Sequence, residues 1–177
     1  VYTCKITLAS GFIMTLRNLL VPICRRAPFA RQLEAALIWA RSLEAHINAV
    51  YFRPDSAATM SSIPAVAMAP GFTVDRLDRD DRAVEAAAQA KFEAWRQKNS
   101  LASGVIHQSL STTYACWSNR AGYLEANLVR CGRLSDLIVM NYPDPNLIAT
   151  ERAFDTATFE TGRPTVFVRV WIRDSLA

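Results

Sequence analysis

The side chains able to do chemistry in this chain are few and scattered. His46 and His107 are its two histidines, and neither has a Cys, Asp or Glu at metal-ligand spacing. The four cysteines show no C-x-x-C spacing, so neither a zinc site nor a disulfide framework is predicted. We interpret the histidines as core or edge residues, and the cysteines as small apolar residues of a reducing compartment.

The sequence also shows no motif for an activated nucleophile and no pair of carboxylates that could share a site. The chain has no G-x-S-x-G elbow, which would anchor a hydrolase site. Asp136 precedes a predicted strand and Asp144 follows it, so the two carboxylates lie at opposite ends and cannot share a site. We predict no catalytic residue and no enzymatic activity. A small-molecule enzyme is an open alternative, because fold does not fix function.

Phosphate-binding motifs are absent from the sequence. Neither G-x-G-x-x-G nor G-x-x-x-x-G-K-[ST] occurs, and six glycines in 177 residues cannot assemble a Gly-rich cradle. Arg25 and Arg26, just after the first predicted strand, can meet an anion at the next helix N-terminus. The alternative is that both are solvated loop charges.

Residues 141–146 form a loop where a parallel sheet binds its ligands, after the fourth predicted strand. There Tyr142 can stack on a base and Asn141 can hydrogen-bond one. Pro143 and Pro145 remove amide donors that a phosphate would need. A rigid turn that closes the crevice is the alternative to a binding loop.

These residues need elements that position them, and the hydrophobic pattern predicts alternating strands and helices. Runs that are apolar on both faces are typical of buried parallel strands, and helical spacing marks the segments between them. The predicted strands are residues 19–23, 47–52, 104–110, 135–140 and 165–168, and the predicted helices are residues 29–43, 78–98, 120–130 and 150–160. Pro22 lies near the end of the first strand, where a ladder hydrogen bond can be spared. The prediction is an open five-stranded parallel α/β sheet flanked by helices.

A chain of 177 residues is expected to form one domain. We place an N-terminal extension at residues 1–14, the domain at 15–170 and a tail at 171–177, with Met14 as the natural start. The segment 53–74 has no charged residue between Asp55 and Asp75, and its length is typical of a lid, a binding segment or a loop packed over a sheet edge.

Charge and hydropathy argue against two classes of partner. The net charge of +4 is modest, and no Lys/Arg cluster alternates with aromatic residues, so nucleic-acid binding is not expected. No apolar run approaches the roughly eighteen residues needed to span a bilayer, so no membrane association is expected.

The order and spacing of four segments resemble the universal stress protein family over nearly the whole chain after Met14. These segments are residues 18–23, 35–47, 132–140 and 159–168. The last two look most like the amino-terminal half of tandem bacterial members. The resemblance implies a flavodoxin-like, adenine nucleotide alpha hydrolase-like sheet of order 3-2-1-4-5, and a cytoplasmic role in the stress response.

The resemblance also implies dimerisation through the edge that carries the fifth strand. The residues predicted for this edge are Thr165, Val166, Phe167, Val168 and Val170. An exposed strand edge has unpaired backbone groups that can pair with a second copy. A homodimer is therefore the expected assembly, and a small-molecule or protein partner is an open possibility.

Some members of the family bind ATP, and this sequence departs from their pattern twice. The acidic residue expected shortly after the first strand is replaced near Ile23 and Cys24, and the glycine phosphate loop after the fourth strand is absent. We therefore predict no cofactor, and a function by association without ATP hydrolysis. The alternative is an ATP or AMP sensor with an atypical loop, whose nucleotide contacts would be Ile23, Cys24, Arg25, Asn141, Tyr142 and Asp144.

Overall fold

Five strands alternate with four helices along the chain. The computed structural model describes residues 16–54, 73–103 and 113–169. The elements are β1 Asn18–Cys24, α1 Ala30–Leu43, β2 His46–Arg53, α2 Val74–Lys98, β3 Ala115–Ala121, α3 Leu124–Arg133, β4 Leu137–Asn141, α4 Ile148–Phe159 and β5 Thr165–Val168.

The strands form one parallel sheet in the order β3-β2-β1-β4-β5, which confirms the predicted fold class and strand order. β1 pairs with β2 along its whole length, but its register with β4 covers only Leu19 with Leu137 and Leu20 with Ile138. The chain leaves β1 toward β2 and later returns to β4 on the other side. The switch point of the sheet is therefore the crevice beyond the ends of β1 and β4.

Helices cover both faces of the sheet, as the apolar strand runs predicted. Leu19, Val21 and Ile23 point to the face covered by α1 and α2, where Leu33 and Phe92 complete a buried core. The alternate side chains of β1 point to the opposite face, covered by α3 and α4. Because successive side chains of a strand point to opposite faces, one apolar run fills two cores.

The strand beside β2 is not the predicted one. That position is taken by β3, Ala115–Ala121, which pairs with β2 from Ile47 to Arg53. The predicted strand at 104–110 lies outside the described residues. β3 becomes polar toward its end, at Asn119 and Arg120. This pattern is typical of a strand at the edge of a sheet, which is where β3 lies in the described sheet. A search for long apolar runs overlooks such a strand.

The helices have the predicted order with shifted starts. α2 begins at Val74 because the Thr73 hydroxyl caps it, accepting a hydrogen bond from the backbone N–H of Arg76 at 3.3 Å. α3 begins at Leu124 instead of Arg120, which belongs to β3. Across the described ranges, no helix is both long and apolar enough to span a bilayer. The predicted N-terminal extension, the tail at 171–177 and Val170 lie outside those ranges.

Candidate functional site

The switch point is bridged by a buried glutamine. Gln32, in the first turn of α1, is 3 % exposed, and its side-chain amide donates to the backbone oxygens of Pro22 and Val139, both at 2.9 Å. Pro22 lies in a central strand and has no N–H to give to β4. The Gln32 amide donates to the Val139 carbonyl of β4 instead. The sheet therefore does not simply lack the hydrogen bond that Pro22 cannot form, as predicted, because a side chain replaces it.

Ile23 and Cys24, at the end of β1, are buried on opposite faces of the sheet. Ile23 is part of the core under α1 and α2. The Cys24 thiol approaches the Ala149 backbone oxygen at 3.7 Å, and burial raises its pKa to about 12. At neutral pH the Cys24 side chain is therefore a neutral thiol and a poor nucleophile.

Arg25 and Arg26 are held by the acidic start of α2. The Arg25 guanidinium lies 2.7 Å from Asp80 and 2.5 Å from Asp81, and Arg26 lies 3.3 Å from Asp80. Asp81 is almost fully buried, which makes its pair with Arg25 more than a surface contact. Arg25 is thus neutralised within the chain, and neither the anion site nor the solvated-charge alternative describes it.

Asn141 closes the other side of the crevice. Its side-chain amide donates a short hydrogen bond to the backbone oxygen of Pro28, in the loop between β1 and α1. Its Oδ1 atom is buried and has no hydrogen-bond partner among the described residues. Asn141 therefore holds one unpaired acceptor that is enclosed by the protein.

Tyr142 and Asp144 turn away from the crevice toward α4 and β5. The Tyr142 ring packs edge-on against Phe154 with centroids 5.8 Å apart, and is 57 % exposed. Asp144 Oδ1 accepts from the backbone N–H of Asn146 at 2.9 Å and from its side-chain amide at 3.0 Å. Asp144 is thus engaged within its own turn.

The loop after β4 has almost no free backbone donors. The N–H groups of Tyr142, Asp144, Asn146 and Leu147 donate to Val168 O, Thr150 Oγ1, Asp144 Oδ1 and Asp144 O respectively. The two intervening residues are prolines, which have no N–H. A phosphate bound here would find no free backbone N–H group between residues 142 and 147. The backbone hydrogen bonding of this segment is that of a closed turn.

A cavity of about 640 Å³ lies on the face covered by α1 and α2. Ile23 and Cys24 of β1, the loop after β1 and the middle of α2 line it. One polar group of its wall is Tyr51, a fully buried side chain whose hydroxyl has no hydrogen-bond partner among the described residues. Burial raises the pKa of Tyr51 to about 12, so the hydroxyl stays protonated at neutral pH.

The structure therefore divides the six predicted nucleotide contacts among four places. Ile23 and Cys24 reach the cavity, Arg25 joins the ion pairs with α2, and Asn141 bridges to the loop after β1. The remaining two, Tyr142 and Asp144, lie on the side of α4. No described ligand-sized space brings all six together.

Histidine and metal chemistry gain no structural support. His46 stacks on Tyr114 with ring centroids 3.8 Å apart. Burial and the nearby charge of Arg17 lower the pKa of His46, which keeps the ring neutral at pH 7. In residues 16–54, 73–103 and 113–169, no three Cys, His, Asp or Glu side chains are grouped to hold a metal. His107 lies outside these ranges.

Asp136 accepts hydrogen bonds from the backbone N–H groups of Arg17 and Asn18, at the end of β4 opposite Asp144.

The predicted dimer edge is the outer strand of the sheet on the β4 side. Thr165, Val166, Phe167 and Val168 form β5, which pairs with β4. The backbone oxygens of Pro164 and Val168 accept bonds from β4, so by strand alternation the backbone groups of Thr165 and Phe167 face outward. All four side chains are half-buried.

Comparison with known proteins rests on structure alone. No protein-family model and no curated protein matches the sequence. UspA, a universal stress protein from Lactobacillus plantarum, superposes with a TM-score of 0.59 at 19 % identity, over 87 % of this chain and 98 % of its own. The fold is that of the universal stress proteins. A member of that family from Burkholderia pseudomallei superposes with a TM-score of 0.57 at 15 % identity, over 88 % of this chain and 97 % of its own. The fold implied by the resemblance is confirmed.

Sequence reasoning missed the residues that decide the local chemistry. Gln32 interrupts the apolar stripe of α1, and a polar residue on a buried stripe is a detectable signal. Asp80 and Asp81 lie in the acidic start of α2. Each pairs with Arg25 of a distant loop, which no local pattern reveals.

Proposed function

We propose that this chain is a universal stress protein-type domain of the cytoplasm that acts in the stress response by association and does not hydrolyse ATP. Association means a homodimer through β5, or binding of a protein or small-molecule partner. The fold supports the family, and no convergent acid, base or nucleophile was found among the described residues.

The observation that carries this proposal is the hydrogen bonding of the loop after β4. Triphosphates bind to parallel α/β sheets through free backbone N–H groups at a helix N-terminus. Here the Asp144 N–H donates to Thr150 of α4, the Asn146 N–H donates to Asp144, and Pro143 and Pro145 have no backbone donor. Arg25, a nearby cation, is neutralised by two carboxylates of α2.

Unpaired backbone groups on the outer edge of β5 support the proposed association. Its outward backbone groups have no partner strand among the described residues. Such an edge pairs readily with another strand unless it is blocked. The Phe167 ring lies tilted against that of Phe154, with centroids 4.5 Å apart, and adds apolar surface beside this edge.

Two measurements test the proposal. Light scattering at micromolar concentration should give the mass of a dimer, and a monomeric mass would count against association. Thermal unfolding with ATP, ADP, AMP or cyclic AMP should show no saturable rise in Tm, because a ligand that binds the native state stabilises it by mass action.

A nucleotide sensor is the second candidate, and one observation favours it. The buried Oδ1 of Asn141 has no partner among the described residues, and a turn of the side chain that exposed it would let it accept a hydrogen bond from a base. A saturable rise in Tm of several degrees with one nucleotide would favour this function over the first.

A further inference from the structure

We propose that the outward face of α3 docks a segment of another protein that carries carboxylates beside apolar side chains. This surface consists of Ala126, Val129, Arg130, Arg133 and Leu134 and is called the α3 face. Docking here rests on the proposed function, association, and names a class of partner for it. The surface used is not the outer edge of β5.

The α3 face is concave and open. A groove of about 390 Å³ lies among its side chains, and the described lining comes from α3 and from Leu134, which caps the end of that helix. The four lining residues within α3 recur at the spacing i, i+3, i+4 and i+7, so they lie on one side of the helix. The buried residues of α3, Leu128 and Gly132, lie on its other side. The groove therefore faces solvent.

Leu134 presents its apolar side chain to solvent from a fixed backbone. The side chain is 77 % exposed. Its backbone N–H donates to Cys131 O at 3.2 Å, and its backbone oxygen accepts from the Asn18 side chain at 3.0 Å. A partner that covered this leucine would gain the free energy of apolar burial without first having to order the backbone.

The end of α4 adds a second exposed apolar side chain on the same side of the molecule. Phe159 is 77 % exposed. It follows Arg152 by seven residues, and Arg152 pairs with Glu125 of α3. Because seven residues make about two helical turns, Phe159 lies on the side of α4 that is turned toward α3. The apolar surface therefore extends beyond a single leucine.

Three arginines without ion pairs give this surface its charge. Arg130 and Arg133 are exposed, and the Arg163 guanidinium donates to the backbone oxygen of Arg133 at 2.6 Å. None of the three has an ion-pair partner among the described residues. Guanidinium groups bind carboxylates through paired hydrogen bonds, which makes a carboxylate the fitting counter-charge.

The chain supplies few carboxylates of its own to this surface. Glu125 is paired with Arg152, and Asp136 accepts two backbone N–H groups. Glu160, at the end of α4, is exposed and forms no ion pair among the described residues. One free carboxylate leaves three arginines in excess, so an acidic partner complements the α3 face.

The groove favours a peptide segment over a membrane. An amphipathic helix places its apolar side chains into a groove and its charged side chains at the rim. A lipid surface has no side chain to enter a groove, although it could meet the arginines. Docking at the α3 face therefore predicts an acidic amphipathic helix as the bound segment.

Fluorescence anisotropy with a labelled synthetic helix tests the proposal. The probe has leucines along one face and glutamates on both flanks of that face, and its control peptide has lysines in place of the glutamates. The glutamate peptide should bind the wild-type chain saturably, and more weakly as salt is raised, because salt screens exposed charges. The lysine peptide should bind at least about tenfold more weakly.

Two variants of the α3 face should weaken binding of the glutamate peptide. Arg130→Glu should do so by about tenfold or more, because an attraction becomes a repulsion. Leu134→Ser should do so by about three- to tenfold, because apolar contact is lost. Both positions are exposed, so circular dichroism should show both variants folded.

Arg31→Glu and Ile38→Ser are the matched controls. They make the same changes at exposed positions of α1, which covers the opposite face of the sheet. Both should bind the glutamate peptide like the wild type.

The proposal is wrong if the wild type shows no saturable binding, if the lysine peptide binds as tightly, or if either α3 variant binds like the wild type. Sedimentation of the wild type with phosphatidylglycerol vesicles, abolished by Arg130→Glu, would assign the α3 face to a membrane and would also overturn it. Light scattering measures the dimer separately, so a dimeric chain that does not bind the peptide would refute this docking and leave association through β5 standing.

Discussion

At the scale of single residues, Gln32 decides the shape of the switch point. The register of β1 with β4 ends at Leu20, and Pro22, which follows on the same side of the strand, has no N–H to extend it. Gln32 donates to the carbonyls on both sides of this gap, at 2.9 Å each. Buried backbone carbonyls are nearly always paired, so this side chain completes the hydrogen bonding of the central sheet.

Replacing Gln32 should therefore destabilise the fold strongly. We expect Gln32→Leu to lower the free energy of unfolding by about 2–3 kcal/mol, because two buried carbonyl oxygens lose their donor while the volume is kept. Urea denaturation at pH 7 measures the change. Gln97→Leu, at an exposed position of α2, is the control and should change stability by less than about 0.5 kcal/mol. Equal effects of the two substitutions would refute the role of Gln32.

Single residues also show which contacts could be predicted from the sequence and which could not. The apolar side chains of β1 and β4 were assigned from their pattern, since burial on both faces leaves a local signature. The partners of Arg25 and Asn141 were not assigned, since each lies on a different element far along the chain. Polar contacts between distant elements depend on atomic placement, which composition and spacing do not encode.

At the scale of elements, close packing brings α3 against the end of α4. Gly132 lies in the last turn of α3, and a Cβ atom there would approach Thr161 Cγ2 to 2.7 Å and Thr161 Cβ to 3.0 Å. Thr161 is buried, and its hydroxyl donates to Ala157 O at 2.8 Å, which holds its rotamer. The absence of a side chain at Gly132 therefore sets the separation of the two elements.

Gly132→Ala should be destabilising although alanine favours helices. Overpacking costs about 1–3 kcal/mol and the gain in helix propensity is about 1 kcal/mol, so we expect a net loss of up to about 2 kcal/mol. Chemical denaturation of the variant measures it.

Thr161→Ser removes the Cγ2 atom and provides the control. In its background, Gly132→Ala should cost clearly less than in the wild type, giving a favourable coupling in a double-mutant cycle. Additive effects of the two substitutions would contradict the proposed contact.

Elements were predicted well where they are apolar and poorly where they are not. β5 was predicted with the bounds that the structure shows, because Thr165 follows a turn and an apolar run begins there. β3 was missed because its second half, at Asn119 and Arg120, is polar and exposed. Strand propensity reflects a half-buried pleated surface, so an outer strand gives a weak signal.

At the scale of the whole molecule, the sheet has two chemically different sides. On the β1–β3 side, the carboxylates of α2 meet the arginines at the strand ends, as in the 2.5 Å pair of Arg25 with Asp81. On the β4–β5 side, aromatic rings gather along the outer strand, as in Phe154 and Phe167. Association is therefore expected at β5 and not at α2.

A lysine on the outer strand should weaken the proposed dimer. We expect Thr165→Lys to weaken self-association by about tenfold or more, because edge lysines block strand pairing and two copies would bring like charges together. Light scattering across a concentration series measures the shift. Gln97→Lys adds the same charge on α2 and should leave the mass unchanged. A dimer that survives Thr165→Lys would place the interface elsewhere.

The turn between β4 and α4 also limits how this domain can change. Freeing Asp144 N–H would mean losing the Thr150 hydroxyl, and replacing either proline would release one amide among neighbours already committed. Gaining a triphosphate grip thus requires several coordinated substitutions, each unfavourable alone. A single substitution in this turn would therefore leave most of its backbone N–H groups engaged.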